Sequence, residues 1–140
     1  MMREKKQVLF ICTHNSGRSQ MAEAFFNRYA NGGAKAVSAG THPADKLNPL
    51  AIEVMKESGI DVSRQRPKLL TAEMLDDADV IITMGCGVDN ACPAAPIPTI
   101  DWGLAGPEGQ PIEKVRQIRD EIDSRVKRLV AWMDKESQKV

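Results

Sequence analysis

The segment VLFICTHNSGRSQMAEAFF, residues 8–26, contains an apolar run, a polar loop and an amphipathic pattern in immediate succession. The nearly continuous apolar run from Gln7 to Ile11 is typical of a strand buried on both faces. From Ser19 onward, apolar side chains recur at helical spacing until Asn31, Gly32 and Gly33 end the pattern. A buried strand that passes through a short loop into a helix is the first unit of a parallel α/β sheet.

The remainder of the chain repeats this alternation. It predicts further strands at Ala34–Ala39, Val80–Met84 and Pro98–Asp101, and further helices from Pro49 to about Gly59, at Leu69–Ala78 and from about Pro111 to Lys135. Strands that alternate with helices indicate a parallel sheet with helices on both faces. The sequence therefore predicts the α/β class.

Composition limits the classes of protein that fit. The chain has 140 residues, of which 42% are hydrophobic and 27% charged, so we expect one globular domain spanning residues 1–140. Lys plus Arg and Asp plus Glu each total 19, which gives no basic field for nucleic-acid or membrane-surface binding. Neither a signal-peptide core nor a membrane span is evident, so we expect a cytoplasmic protein, most simply a monomer. Three cysteines without an export signal favour thiol chemistry over structural disulfides.

The residues after the first strand have the composition of an oxyanion-binding loop. In a parallel α/β sheet, phosphate-like groups bind where the first strand turns into the first helix. Small residues in this turn can direct several backbone N–H groups at one point, where the helix N-terminus adds positive charge. Asn15 and Gly17 tolerate left-handed backbone angles, and Arg18 can grip two oxygens of a tetrahedral anion. The predicted oxyanion loop comprises Thr13, His14, Asn15, Ser16, Gly17 and Arg18.

Cys12 lies at the base of this loop. A thiol beside a helix N-terminus and a guanidinium ionises more readily than a free thiol, so we expect a nucleophilic thiolate at neutral pH. Ser19 is placed to donate a hydrogen bond to the sulfur. The alternative is an inert, buried cysteine, since a Cys and an Arg six residues apart form a weak signal alone. The preceding strand, the following helix and Ser19 favour the catalytic interpretation.

These residues resemble a known family. The segments CTHNSGRSQMAEAF and VSAGTHPADKLNPLAIEVMKESGIDVS are similar to the low molecular weight tyrosine phosphatase superfamily, and specifically to its arsenate reductases. ITMGCGVDNACP, IDWG and QIRDEI also resemble the reductases. The resemblance spans about Val8 to Val130 and implies a three-layer sandwich around a four-stranded parallel sheet. It also implies that arsenate is the substrate, that phosphate and sulfate compete with it, and that no cofactor or metal is bound.

Cys86 and Cys92 supply the two further thiols that such a reduction needs. Both follow the strand Val80–Met84, so the topology places them at the edge of the sheet where Cys12 lies. We expect Cys12 to attack arsenate, Cys86 to displace arsenite by forming a disulfide with Cys12, and Cys92 to move that disulfide outward. The resemblance implies thioredoxin as the external reductant. A zinc site is the other interpretation, but five intervening residues and only two histidines make a poor ligand set.

The spacing of these cysteines departs from the thioredoxin-coupled pattern. In those enzymes the two relay cysteines are usually seven apart, with the first directly after the strand, whereas here Gly85 takes that place. Cys86 lies six residues before Cys92. Similar loops occur in relatives that resolve the arsenate adduct with a low-molecular-weight thiol, so that route stays open.

The residue usually supplying a proton is also different. The family places an aspartate directly before a proline, whereas the matching stretch GLAGPEG has Gly106 there. Loss of a general acid typically slows ester hydrolysis by about 10² to 10⁴. For reduction, the leaving hydroxide can take its proton from the arsenate anion itself, from Glu108 or from Asp101. The alternative for Glu108 is an exposed loop carboxylate without a catalytic role. Two other classes stay open, a phosphatase that works without Cys86 and Cys92 and an oxyanion-binding module without turnover.

Some relatives bind potassium beside the loop. The resemblance places the matching residues at Asn15, Glu23 and Ser38, with Lys68 at a position that is otherwise acidic. An ammonium there can replace the ion, so we expect no potassium dependence.

Overall fold

The computed structural model describes residues 6–30, 32–85 and 97–138. Eight elements follow one another along these residues, namely β1 (Lys6–Cys12), α1 (Arg18–Tyr29), β2 (Ala34–Gly40), α2 (Pro49–Glu57), α3 (Ala72–Asp77), β3 (Val80–Thr83), β4 (Thr99–Asp101) and α4 (Ile112–Gln138). The predicted α/β class and the four-stranded sheet are confirmed. None of the described helices is long and apolar enough to cross a membrane.

All four strands are parallel and lie in the order β2-β1-β3-β4. β1 is central, since it pairs with β2 on one side and with β3 on the other. The chain passes from β1 to one side through α1 and later returns to the other side at β3. The carboxyl end of β1 therefore lies at the point where the strand order reverses, which is where open parallel sheets bind ligands.

Alternation along β1 divides the core into two layers. Val8, Phe10 and Cys12 pack in the larger cluster with α1, α2 and α4. Leu9 and Ile11 face the opposite side with Ile81 of β3 and partly buried residues of α3. The helices thus cover both faces of the sheet, and Cys12 lies on the face covered by α1.

Two predicted boundaries differ from the structure by three residues, and the others by at most two. The helix predicted from Leu69 begins at Ala72, because Thr71 is its N-cap and its side chain accepts a hydrogen bond from the Met74 N–H. Leu69 instead forms an isolated parallel bridge with Gly40. The last helix extends to Gln138 rather than Lys135.

Ion pairs fasten α2 to α4. Glu57 at the end of α2 accepts hydrogen bonds from Nη2 of Arg116 at 2.8 Å and from Nη1 of Arg119 at 2.7 Å. Arg119 also donates to the Val54 carbonyl at 2.9 Å. The hydrogen bonds from Arg116, followed by those from Arg119, lower the pKa of Glu57 from 4.5 to about 2.

This lowered pKa gives a pH-dependent contribution to stability. The contribution is complete above pH 4.5 and is lost as pH falls toward about 2, because the carboxylate is then protonated in both folded and unfolded states. We expect Glu57→Gln to lower the urea midpoint at pH 7 and the deficit to shrink as pH falls to about 3. Glu53→Gln, at an exposed carboxylate on the same helix, is the control. An equal deficit at both pH values would contradict this assignment.

Candidate active site

The predicted oxyanion loop connects β1 to α1. Cys12 is the last residue of β1, and α1 begins at Arg18, so the loop turns directly above the carboxyl end of the central strand. The side chain of Cys12 is 6% exposed. Asn15, Ser16 and Arg18 are also buried. Burial is unusual for polar residues and indicates that these side chains have specific partners in the fold.

The carbonyl groups of this loop are anchored to the segment 41–48. The N–H groups of His42, Ala44 and Asn48 donate to the carbonyls of Thr13, His14 and Ser16 at 2.8, 3.0 and 2.9 Å. In a trans peptide the C=O and the N–H point in opposite directions. The N–H groups of the same three peptides, those of His14, Asn15 and Gly17, therefore point away from segment 41–48.

One of these N–H groups reaches the sulfur. The N–H of Asn15 donates to Sγ of Cys12 at 3.2 Å, and Oγ of Ser19 lies 2.8 Å from the same sulfur. Oγ of Ser19 accepts a hydrogen bond from Nδ2 of Asn15 at 2.7 Å. Since this hydroxyl already accepts from Asn15, its own hydrogen is available to the sulfur. Both groups favour the negatively charged form of the sulfur.

A buried polar network fixes the conformation of Asn15. Its φ of 50° is in the left-handed region, as predicted. Oδ1 of Asn15 accepts hydrogen bonds from Nε2 of Gln20 at 3.0 Å and from the Lys68 N–H at 2.8 Å. Gln20 also donates to the Arg66 carbonyl at 2.8 Å and accepts from Gln65 at 2.5 Å. These bonds satisfy the buried amides and hold the loop to the 65–68 segment.

The predicted role of Gly17 is wrong. Its φ is −142°, outside the left-handed region, so the loop does not need glycine there for backbone freedom. Glycine is needed for space instead, because a Cβ at position 17 would lie 2.7 Å from Cγ of Pro107. Gly40 similarly allows β2 to approach the loop, since its Cβ would lie 2.6 Å from the Thr13 carbonyl oxygen.

Arg18 reaches from α1 toward the segment after β4. Its side chain is buried, and Nη1 donates to the Leu104 carbonyl at 2.7 Å. Gly85 lies beside this hydrogen bond, where a Cβ would stand 2.8 Å from Nη1 and 2.5 Å from the Leu104 oxygen. A glycine at position 85 therefore lets the chain after β3 pass beside the guanidinium.

Glu108 occupies the space beside Gly106. A Cβ on Gly106 would clash with Oε2 of Glu108 and would lie 3.7 Å from Nη2 of Arg18. Oε1 of Glu108 lies 3.5 Å from Nδ1 of His14 on the oxyanion loop. The other carboxylate considered as a donor, Asp101, accepts hydrogen bonds from Thr83 and Gly103. Glu108 is thus the carboxylate beside Gly106, where the family pattern has its aspartate.

A lysine ammonium lies at the position matched to the potassium site of some relatives. Nζ of Lys68 is 3.7 Å from Oε1 of Glu23, which accepts a hydrogen bond from Oγ of Ser38 at 2.7 Å. Because the ammonium already supplies a positive charge to Glu23, these residues do not fit a bound potassium ion.

The structure thus brings Cys12, Arg18, Ser19 and the loop residues together, with Glu108 at the rim. Cys86 and Cys92 lie outside the described residues. Sequence reasoning missed Gln20 and Gly40, whose contacts join positions far apart in the chain. The sequence carries two signals of these roles. One is the polar Gln20 on the apolar face of α1, and the other is the glycine at the end of β2.

Comparisons with known proteins show which family this chain is similar to. The low molecular weight phosphotyrosine protein phosphatase family matches residues 7–139. An arsenate reductase of Brevibacillus brevis is 39% identical over 129 residues, which is 91% of this chain and 96% of that protein.

Two solved structures are similar over most of this chain. A thioredoxin-dependent arsenate reductase of Corynebacterium glutamicum is 40% identical with a TM-score of 0.79, covering 99% of this chain and 66% of that one. The arginine phosphatase YwlE of Geobacillus stearothermophilus is 29% identical with a TM-score of 0.80, covering 94% of each chain. The chain therefore belongs to the low molecular weight phosphotyrosine protein phosphatase family and, within it, to the arsenate reductases.

Proposed function

We propose that this protein reduces arsenate to arsenite, with Cys12 as the nucleophile. The observation that supports this most directly is the pair of donors on its sulfur, the Asn15 N–H at 3.2 Å and the Ser19 hydroxyl at 2.8 Å. Donors of this kind stabilise a thiolate, which is the reactive form of cysteine. The choice of substrate comes from the arsenate reductase relatives. Arsenate is a tetrahedral oxyanion, the kind of group that the loop is predicted to bind.

The first step is the formation of a thiol–arsenate adduct. The loop N–H groups and the Arg18 guanidinium bind the arsenate oxygens, and the Cys12 thiolate attacks arsenic. A sulfur–arsenic bond forms as an arsenic–oxygen bond breaks, and the leaving oxygen takes a proton from Glu108 to depart as water. Glu108 is supported in this role by its position beside Gly106 and Arg18.

The second step transfers two electrons to arsenic. The Cys86 thiolate attacks Sγ of Cys12, the sulfur–arsenic bond pair stays with arsenic, and arsenite leaves. A Cys12–Cys86 disulfide balances the reduction of As(V) to As(III). Gly85, which immediately precedes Cys86, lies against Arg18 and so brings the chain toward the site at this point. Cys92 then attacks Cys86, which releases Cys12 as a thiolate and leaves a Cys86–Cys92 disulfide.

Thioredoxin is the proposed reductant of this final disulfide. Its two thiols become a disulfide as Cys86 and Cys92 return to the dithiol form. The Corynebacterium glutamicum relative is named as thioredoxin-dependent, which supports this choice. The alternative is a low-molecular-weight thiol that attacks the arsenate adduct directly. The activity of Cys92→Ser with glutathione distinguishes this route from the thioredoxin route. We also propose that the protein acts in the cytoplasm as a single domain and a monomer.

Arsenate-dependent oxidation of NADPH, coupled through thioredoxin and its reductase, tests this function. We expect activity in the wild-type protein and none in Cys12→Ser. Cys92→Ser should perform a single turnover and retain a Cys12–Cys86 disulfide that peptide mass spectrometry detects. Sustained turnover of Cys92→Ser with glutathione would instead support the small-thiol route. Rapid phosphotyrosine hydrolysis in a Cys86→Ser, Cys92→Ser double variant would support a phosphatase.

Ser19 supplies a test of the thiolate. We expect Ser19→Ala to slow alkylation of Cys12 by iodoacetamide about fivefold at pH 6, because one hydrogen bond to the charged sulfur is lost. Ser58→Ala, at an exposed position after α2, is the control. A Ser19→Ala variant that matches the wild-type rate at pH 6 would exclude this role.

Gly106 supplies a test of the reaction type. Gly106→Asp places a carboxyl at the position of the family's usual proton donor, so we expect hydrolysis of phosphotyrosine to rise about tenfold or more. Gly106→Asn has nearly the same shape without the acidic proton and is the matched control. Equal rates for the Asp and Asn variants would show that the missing carboxyl does not limit ester hydrolysis.

A further inference from the structure

The 104–108 segment rests on the oxyanion loop through three contacts. The Leu104 carbonyl accepts from Arg18, Pro107 lies where Gly17 has no side chain, and Glu108 pairs with His14. The first two contacts involve the backbone and a proline ring, and they fix the path of the segment over the loop. Only the third contact acts on the side chain of Glu108.

The backbone of His14 is fixed by its neighbours. Its carbonyl accepts from the Ala44 N–H at 3.0 Å, and the next residue, Asn15, has the left-handed φ of 50°. From this backbone position the imidazole reaches the side chain of Glu108, where Nδ1 lies 3.5 Å from Oε1. The two side chains are about equally exposed, at 49% and 48%.

We propose that His14 is a positioning residue that holds the Glu108 carboxyl over the oxyanion loop. This inference rests on the proposed function, in which Glu108 protonates the leaving oxygen. Nδ1 lies 3.5 Å from Oε1, a distance at which the two side chains form an ion pair when the imidazole is protonated, and Oε2 occupies the space beside Gly106. A half-exposed glutamate samples several rotamers, and a single fixed partner raises the fraction of time that the carboxyl spends in place.

The absence of a side chain on Gly106 is part of the same arrangement. Because a Cβ there would clash with Oε2 of Glu108, any larger residue would displace the carboxyl. His14 and Gly106 thus both favour this position of Glu108, one by attraction and the other by leaving space.

Steady-state kinetics of arsenate reduction test this role. We expect His14→Leu to lower kcat about fivefold, the size of effect that one partly exposed polar contact gives. KM for arsenate and inhibition by inorganic phosphate should change less than twofold, because the oxyanion loop itself remains. His14→Asn retains a donor near the position of Nδ1 and should recover most of the lost kcat. Lys56→Leu, at an exposed position on α2, is the control.

A double-mutant cycle separates positioning from a general structural effect. Glu108→Gln should lower kcat more than His14→Leu, and adding His14→Leu to it should have no further effect. Additive losses, or a His14→Leu variant with wild-type kcat, would overturn the inference while leaving the proposed function intact. Failure of the wild-type protein to reduce arsenate would contradict the proposed function instead.

A measurement without turnover tests the same contact. In the phosphate-loaded protein, we expect nuclear Overhauser effects between the His14 ring protons and the side chain of Glu108. Their absence would overturn the inference whatever the activity.

Discussion

The anchoring of the loop carbonyls to segment 41–48 is the constraint on which the site depends. Hydrogen bonds from His42, Ala44 and Asn48 use the carbonyl side of three loop peptides, and peptide planarity then turns the N–H side the other way. The N–H of Asn15 reaches the sulfur as a result. A loop without these anchors could direct its carbonyl oxygens at a bound anion and repel it. The segment between β2 and α2, which supplies no catalytic group, thus determines the electrostatic character of the pocket.

The buried amides of Asn15 and Gln20 keep this loop in place at an energetic cost that their hydrogen bonds offset. Desolvating an amide without a partner costs about 1–3 kcal/mol, so a network with one member missing would destabilise the fold. Here Asn15 bonds to Ser19, Gln20 and the Lys68 backbone, and Gln20 continues the chain of bonds to the 65–66 segment. The same bonds that hold Asn15 in the left-handed region also orient the Ser19 hydroxyl toward the sulfur. Folding and the hydrogen bonding of the Cys12 sulfur are therefore linked through one side chain.

Local patterns in the sequence predicted the parts of this site that depend on neighbours along the chain. The apolar run of β1, the helical spacing of α1 and the tolerance of Asn15 for positive φ all arise within a few residues. The role of Gly17 was predicted wrongly because its reason, contact with Pro107, joins positions 90 residues apart. Helix α3 is predicted too long because Leu69 pairs with Gly40 in a parallel β-bridge. These positions are far apart in the chain, so local sequence patterns do not indicate the pairing. Packing between distant segments, rather than backbone preference, decided each of these positions.

Four glycines lie around the oxyanion loop, and at each of them a side chain would prevent a close contact. Gly40 admits the Thr13 carbonyl, Gly85 admits the Arg18 guanidinium, Gly17 admits Pro107 and Gly106 admits the Glu108 carboxylate. Only Gly106 stands where the phosphatase pattern has a catalytic side chain. Phenolate and alkoxide leaving groups need a well-placed acid, whereas a hydroxyl on arsenic leaves as water after a single protonation. In the proposed reaction, Glu108 would supply the proton for the second case from a position two residues beyond the family's usual donor. Such a placement of the acid would favour reduction of a small oxyanion over hydrolysis of an ester.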